Sequence, residues 1–243
     1  MLLQPSDLVG CRYRLPQKQR HPDIPPTDTT YARRRRLAIA RRQATVLLPT
    51  HPQRGDKKLF HRIDLGTLDD AEDRWFATLE ALAAKATIIT DAMLHTTRGG
   101  HAFAVPIDAL VRRPDGNYMP VLITNHRIIR PDPNRTIQVI GTRRLGLGTP
   151  NIGHYRLKHH SADSFTLALA NHALADVGHA AQRGILIGQD PEIAVILDTE
   201  LLEQGLQLAL AQPIPAHAHR VKECGTCRFW PLCEAELVER DDL

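Results

Sequence analysis

The sequence predicts an α/β fold in which a three-stranded antiparallel meander and a further strand are flanked by helices, with the N- and C-terminal segments joined at a cysteine cluster. Three observations predict it. Apolar residues are spaced for helices up to about residue 85, give way to β-branched runs between 86 and 130, and return to helical spacing at 161. The turn sequences TRGG and PDG divide the β-rich stretch into three. Of the four cysteines, Cys11 stands near the beginning, while Cys224, Cys227 and Cys233 fall within ten residues near the end.

In chain order, SDLVGCRY reads as a short helix after Ser6 and PDIPPTDTT as a loop. Thr29 or Thr30 is placed to cap a helix reaching about Leu48, with Leu37, Ala40, Ala44 and Leu47 on one face. LPTHPQRGDKK is a second loop. DDAEDRWFATLEALAAK is amphipathic, with Trp75, Leu79 and Leu82 turned inward. ATIITDAMLH, HAFAVPIDALVRR and NYMPVLITNHRII form the meander. RPDPNRT is a loop, and VIGTRRLGLGTP is ambiguous. SADSFTLALANHALADVG is a helix with Ser161 as its cap and Gly178 as its stop. RGILIGQD is the further strand, AVILD reads as one more, and TELLEQGLQLALAQ is a helix ending before Pro213. The expected division is one domain over 1–243: a basic helical segment at 1–50, an α/β core at 71–212 and a cysteine tail at 213–243.

A chain of 243 residues can bury a substantial core, and 42% hydrophobic with 24% charged residues is ordinary for a soluble protein. No apolar run approaches 18 residues, so no membrane span is expected. The opening MLLQPSDLVGCRYR lacks the basic and long apolar regions of a secretory signal. The expected location is cytoplasmic, where thiols bind metal more often than they form disulfides. The net charge is +4, and Arg33, Arg34, Arg35, Arg36, Arg41 and Arg42 crowd into YARRRRLAIARR. A localised basic surface suits a polyanion such as DNA; a solvated helix face is the competing reading.

Cys224, Cys227 and Cys233 form a C-x2-C-x5-C array, one short of a four-thiolate set. Both zinc and iron–sulfur clusters accept such ligands. A zinc site usually has a second C-x2-C hook or nearby histidines, and His217 and His219 are near enough to be weighed. The second hook is missing, and Cys11 stands alone, which favours a [4Fe-4S] cluster over Zn2+. Closing a loop of ~210 residues costs an unfolded chain roughly 5 kcal/mol, so such a cluster would staple the two ends together. Trp230, beside the array, is placed to shield it.

The combination of one early cysteine, a helix–meander–helix–strand core and the tail CGTCRFWPLCEAELVERDDL resembles the RecB-like nucleases with an iron–sulfur staple. These include the CRISPR-associated RecB-like exonucleases, the AddB nuclease domain and actinobacterial RecB-like proteins. The resemblance covers nearly the whole chain, and its opening, LLQPSDLVGCRYR, looks like the family's Ser-x-Leu…Cys start. It implies the restriction-endonuclease-like PD-(D/E)XK fold and action on DNA, single-stranded or with ends. It also implies Mg2+ or Mn2+ as catalytic cofactor, and a helicase or other repair protein as partner.

The family holds its metal with a Gly-x-x-Asp on the second strand and a Glu-x-Lys on the third. VPIDALVRR supplies Asp108, with Val105 in place of the glycine, and Glu80 in ATLEAL is the candidate helix carboxylate. The third strand departs from the pattern. In PVLITNHR, Leu122 stands where the glutamate belongs and Thr124 where the lysine belongs; Thr166 and Ala170 replace a later Gln-x-x-x-Tyr. Leucine cannot ligate a hard cation, so the expectation is a degenerate metal site. Asn125, His126 and Lys158 are the candidates for a rebuilt one, while His159 and His160 read as surface residues. The competing expectations are a DNA-binding protein that does not cut and a zinc-stapled scaffold that only binds other proteins.

Overall fold

The computed structural model describes residues 2–52 and 59–241; the part of the expected second loop at 53–58 lies outside them. Near the N-terminus, Pro5–Leu8 form a 3₁₀ turn in which the Gln4 N–H donates to Asp7 at 3.0 Å. Gly10, at φ +75°, then reverses the chain. The short helix expected across SDLVGCRY is therefore replaced by this turn and a later helix, α1 (Arg14–Arg20). Helix α2 (Asp28–Leu47) starts earlier than expected. Its cap is Thr27, whose hydroxyl accepts from the Thr30 N–H at 3.3 Å, and not Thr29 or Thr30. Ala44 is buried and Leu37, Ala40 and Leu47 are half-buried, so the inward face is the expected one.

β1 (Arg62–Asp64) precedes α3 (Ala71–Ala83), whose cap Asp70 accepts from the N–H groups of Glu72 and Asp73 at 2.7 and 3.0 Å. Leu82 is buried there, and Trp75 and Leu79 pack half-buried against the core. The meander follows as expected. β2 (Ile88–Arg98), β3 (His101–Arg112) and β4 (Tyr118–Ile123) pair antiparallel, in register from Ile88↔Val111 to Arg98↔His101 and from Ala109↔Val121 to Arg112↔Tyr118. β5 (Ile129–Pro131), β6 (Ile137–Gly141), β7 (Asn151–Gly153) and β8 (Tyr155–Leu157) come next. α4 (Ser161–Asp176) has His160 as its cap, with no side-chain capping bond, so Ser161 opens the helix instead of capping it. β9 (Arg183–Ile187), β10 (Ile193–Asp198), α5 (Glu200–Ala211) and α6 (Trp230–Glu239) complete the described chain.

The further strand, β9, lies parallel to β4. The sheet is larger than the four or five strands expected. Eight strands run in the order β1-β2-β3-β4-β9-β10-β6-β7, and β5 and β8 form a separate pair. The ambiguous stretch after residue 138 contributes part of β6, which pairs with β10. None of the described helices is long and apolar enough to cross a membrane.

Helices cover both faces of the sheet. On one face Leu110, Leu122, Leu186 and Val195 pack with the buried residues of α3, α4 and α5. On the other, Val111, Val121, Ile123, Ile185 and Ile187 pack with Ala44 of α2 and with Leu48. Residues of one parity normally share a face of a strand. On β2 and β3 the parity switches. Ile88 belongs to the α2 side but Ala92 and Leu94 to the other; Ala109 and Val111 belong to the α2 side but Val105 and Ile107 to the other. The switch falls at Asp91 and Asp108, opposite each other in a gap in the ladder between Thr90↔Ala109 and Ala92↔Ile107. Asp91 has φ +55°, the left-handed conformation that Asp tolerates better than most residues.

Candidate functional site

Two places in this fold collect the residues that the sequence singles out. The first is at the chain ends. A 3₁₀ turn over Lys222–Thr226 carries Cys224, whose sulfur accepts from the Val221 N–H at 3.3 Å. The N–H of Cys227 closes the turn on the Cys224 carbonyl at 3.0 Å. Cys233 lies in α6 and Cys11 in the turn before α1. All four are half-buried free thiols, and all four line one cavity of about 130 Å³. Tyr13, Gln17, Thr30, Arg33, His219 and Trp230 share its wall. Trp230 thus stands at the cavity as expected. His217 lies instead against Glu236, 3.7 Å away.

Burial raises the Cys11 thiol, and burial followed by the other three cysteines pushes Cys233 up to about 11. A single ion with metal–sulfur bonds of about 2.3 Å would draw four sulfurs to within roughly 4 Å of each other. Among the described residues no group of three or more His, Cys, Asp or Glu is so arranged. Gln17, buried at the wall, leaves its Oε1 without a partner, a polar atom that the cavity's occupant or a water would have to satisfy.

The ends also meet without any cofactor. The Tyr13 hydroxyl and the Ala218 N–H both donate to Glu236, at 2.8 and 2.9 Å. Arg12, buried, donates to the Ala209 carbonyl at the end of α5 at 2.6 Å, and Arg228 donates to the Ile24 carbonyl.

The second place is the kink in β2 and β3. Asp108 is 7% exposed. Its Oδ2 accepts from the Ile123 N–H of β4 at 2.7 Å, and its Oδ1 lies 2.6 Å from Nε of Arg41 on α2. Burial pushes its carboxyl up to about 6, against the opposing effects of Arg41 and the Ile123 N–H; Asp91 across the kink raises it further. Glu80 is exposed on α3 and is not among the charges acting on Asp108. Leu122 is buried on the α4 side of the sheet. Mg2+ or Mn2+ does not fit this site: both oxygens of Asp108 are engaged and no second carboxylate comes from β4.

Beyond β4 the candidates separate. Asn125 and Lys158 are exposed. His126 Nδ1 lies 2.7 Å from Thr124 Oγ1, and Asp163 Oδ2 is 2.9 Å from Nε2 but is left without a hydrogen bond. His160 packs against it at a ring-centre distance of 3.7 Å, so it is not the surface residue expected, whereas His159 is exposed. Burial, and then Lys158, lower the pKa of His126, and burial pushes Asp163 up to about 6. The partnership of Arg41 with Asp108 and of His126 with His160 and Asp163 has no signature in the sequence, because sheet pairing and helix docking create it.

Arg33, Arg34, Arg35, Arg36 and Arg42 are exposed on α2. Arg41 reaches Asp108 with its Nε while 42% of its side chain stays exposed.

No family model matches this chain, and no curated protein matches it. One solved structure, described as "Crystal structure of SSO0001", is similar over 83% of this chain and 95% of its own, with 14% identity and a TM-score of 0.31, a likeness that carries no inference about fold or activity.

Proposed function

We propose that this chain is a RecB-like, PD-(D/E)XK-type protein that binds DNA without cleaving it through a divalent metal, its ends joined by a [4Fe-4S] cluster on Cys11, Cys224, Cys227 and Cys233. The observation that carries the reading is the convergence of those four cysteines on one cavity. When bound, the cluster supplies a covalent clamp between the chain ends. Thr30 and Arg33, in the first turns of α2, line the same cavity, so the clamp seats the helix around which five exposed arginines are distributed. Such a set of cations suits phosphates read without base contacts, as on single strands or duplex ends. A helicase or other repair protein is the partner class that follows from the resemblance, and four unpaired thiols agree with a cytoplasmic location.

Anaerobic purification with iron and sulfide analysis, beside fluorescence anisotropy on single- and double-stranded oligonucleotides, tests both halves. Stoichiometric zinc without iron would replace the cluster by a zinc staple, and absence of DNA binding would leave a scaffold. A second reading, cleavage through a rebuilt metal-free site, is favoured by one observation: His126 lies against His160 with Asp163 Oδ2 2.9 Å away, a cluster of groups able to take up and release a proton. Loss of EDTA-resistant cleavage in His126→Ala would support it.

A further inference from the structure

We infer that Arg41 takes the place of a metal ion at Asp108. A buried carboxylate needs a counter-cation. In a nuclease-type core that cation comes from solution, and a second carboxylate on the neighbouring strand helps to hold it. Here that position is Leu122, whose side chain lies in the opposite core. The counter-charge comes from the chain itself: Arg41 Nε lies 2.6 Å from Asp108 Oδ1, while the Ile123 N–H takes Oδ2 at 2.7 Å.

The kink explains why the guanidinium is needed. It sets Asp91 opposite Asp108, near enough for their charges to interact. Arg41 compensates the Asp108 charge, and removing it leaves that carboxylate uncompensated within the field of Asp91. A site with one or two carboxylates and retained waters is what Mg2+ and Mn2+ accept. Arg41 lies one residue from the exposed Arg42 and one to two helical turns from Arg33–Arg36, so the same ion pair fixes α2 to the sheet. The inference rests on the nuclease-fold part of the proposed function but not on its DNA-binding part, and its test contains no nucleic acid.

The test is Mn2+ titration followed by electron paramagnetic resonance, with folding checked by circular dichroism. Wild type is expected to leave Mn2+ free. Arg41→Ala and Arg41→Gln are expected to bind it more tightly by about tenfold or more, the equivalent of one lost unfavourable charge interaction of ~1.4 kcal/mol. Adding Asp108→Asn to either variant should abolish that binding. Arg41→Lys keeps the charge and should exclude Mn2+ as wild type does, which holds the inference open to refutation if the neutral variants do not fold. Mn2+ bound by wild type or Arg41→Lys and lost with Asp108→Asn overturns the inference. So does a folded Arg41→Ala or Arg41→Gln that binds no Mn2+.

Discussion

Tyr13 donates its hydroxyl to Glu236 at 2.8 Å across 223 positions of sequence, so the chain ends are hydrogen-bonded to each other independently of any cofactor. Glu236 also accepts from the Ala218 N–H. Glu236→Ala strands the buried Tyr13 hydroxyl and an N–H, and should cost about 1–3 kcal/mol in iron-loaded and metal-free protein alike. For a chain of this length that is a fall of roughly 2–4 °C in Tm per kcal/mol, read by thermal unfolding.

Cys11→Ser should behave differently. It removes a cofactor ligand but none of the direct contacts, so the loss of Tm should appear in the iron-loaded protein and vanish in the metal-free one. Wild type prepared without oxygen should carry about four irons per chain if the four thiolates hold a [4Fe-4S] cluster. An unchanged iron content in Cys11→Ser would remove that residue from the ligand set.

Replacing Arg33, Arg34, Arg35 and Arg36 by Ala should weaken binding to all DNA sequences alike and flatten its dependence on salt, because fewer counterions are released. Arg41→Ala should have a smaller effect on the salt slope, since its guanidinium is committed to Asp108. Anisotropy titrations over a range of salt separate the two outcomes. A four-alanine variant that binds as wild type does would reduce the arginines to a solvated face.

Asp108 makes stability depend on pH in the direction opposite to most carboxylates. Its folded-state pKa is about 6, above the ordinary 3.8. The stability it contributes is full below about pH 4 and is lost as pH rises through 6. Relative to Asp108→Asn, wild type should therefore gain on the order of 2–3 kcal/mol between pH 7 and pH 4. Denaturant unfolding of both proteins at the two values measures it; a constant difference would place the proton elsewhere.

Leu122→Glu with Thr124→Lys restores the residue types of a metal nuclease but not its geometry. Leu122 is in the core facing α4, and the Thr124 hydroxyl is bonded to His126. The double variant should lose several kcal/mol of stability and gain no Mg2+-dependent cleavage, because it buries two charges without Arg41 leaving Asp108. Brisk cleavage by a folded double variant would show that β4 can turn these positions toward the kink.

The strongly patterned elements were legible in the sequence because local spacing specifies them. Runs of β-branched and apolar residues marked β2 and β3, and TRGG with Gly99 and Gly100 at positive φ marked their turn. β1 and β7, at three residues each, are too short to show a period, and they become strands only because β2 and β6 offer edges to pair with. Thr27 outcompeted Thr29 and Thr30 as a cap by one turn of backbone, a boundary that composition does not encode.

By itself the sequence determined the α/β order, the meander, the basic helix and a cysteine set split between the two ends, all consequences of residue type and spacing along the chain. Tertiary structure decided the rest. It brought Cys11 to the cavity lined by the other three cysteines, set His160 against His126, and paired one arginine of six with a buried aspartate. Those outcomes depend on which helix docks on which face and on a switch of strand parity at Asp91 and Asp108. Such a switch is set by one left-handed residue and its neighbours across the sheet, and contacts between residues far apart in sequence leave no periodic trace in the chain that makes them.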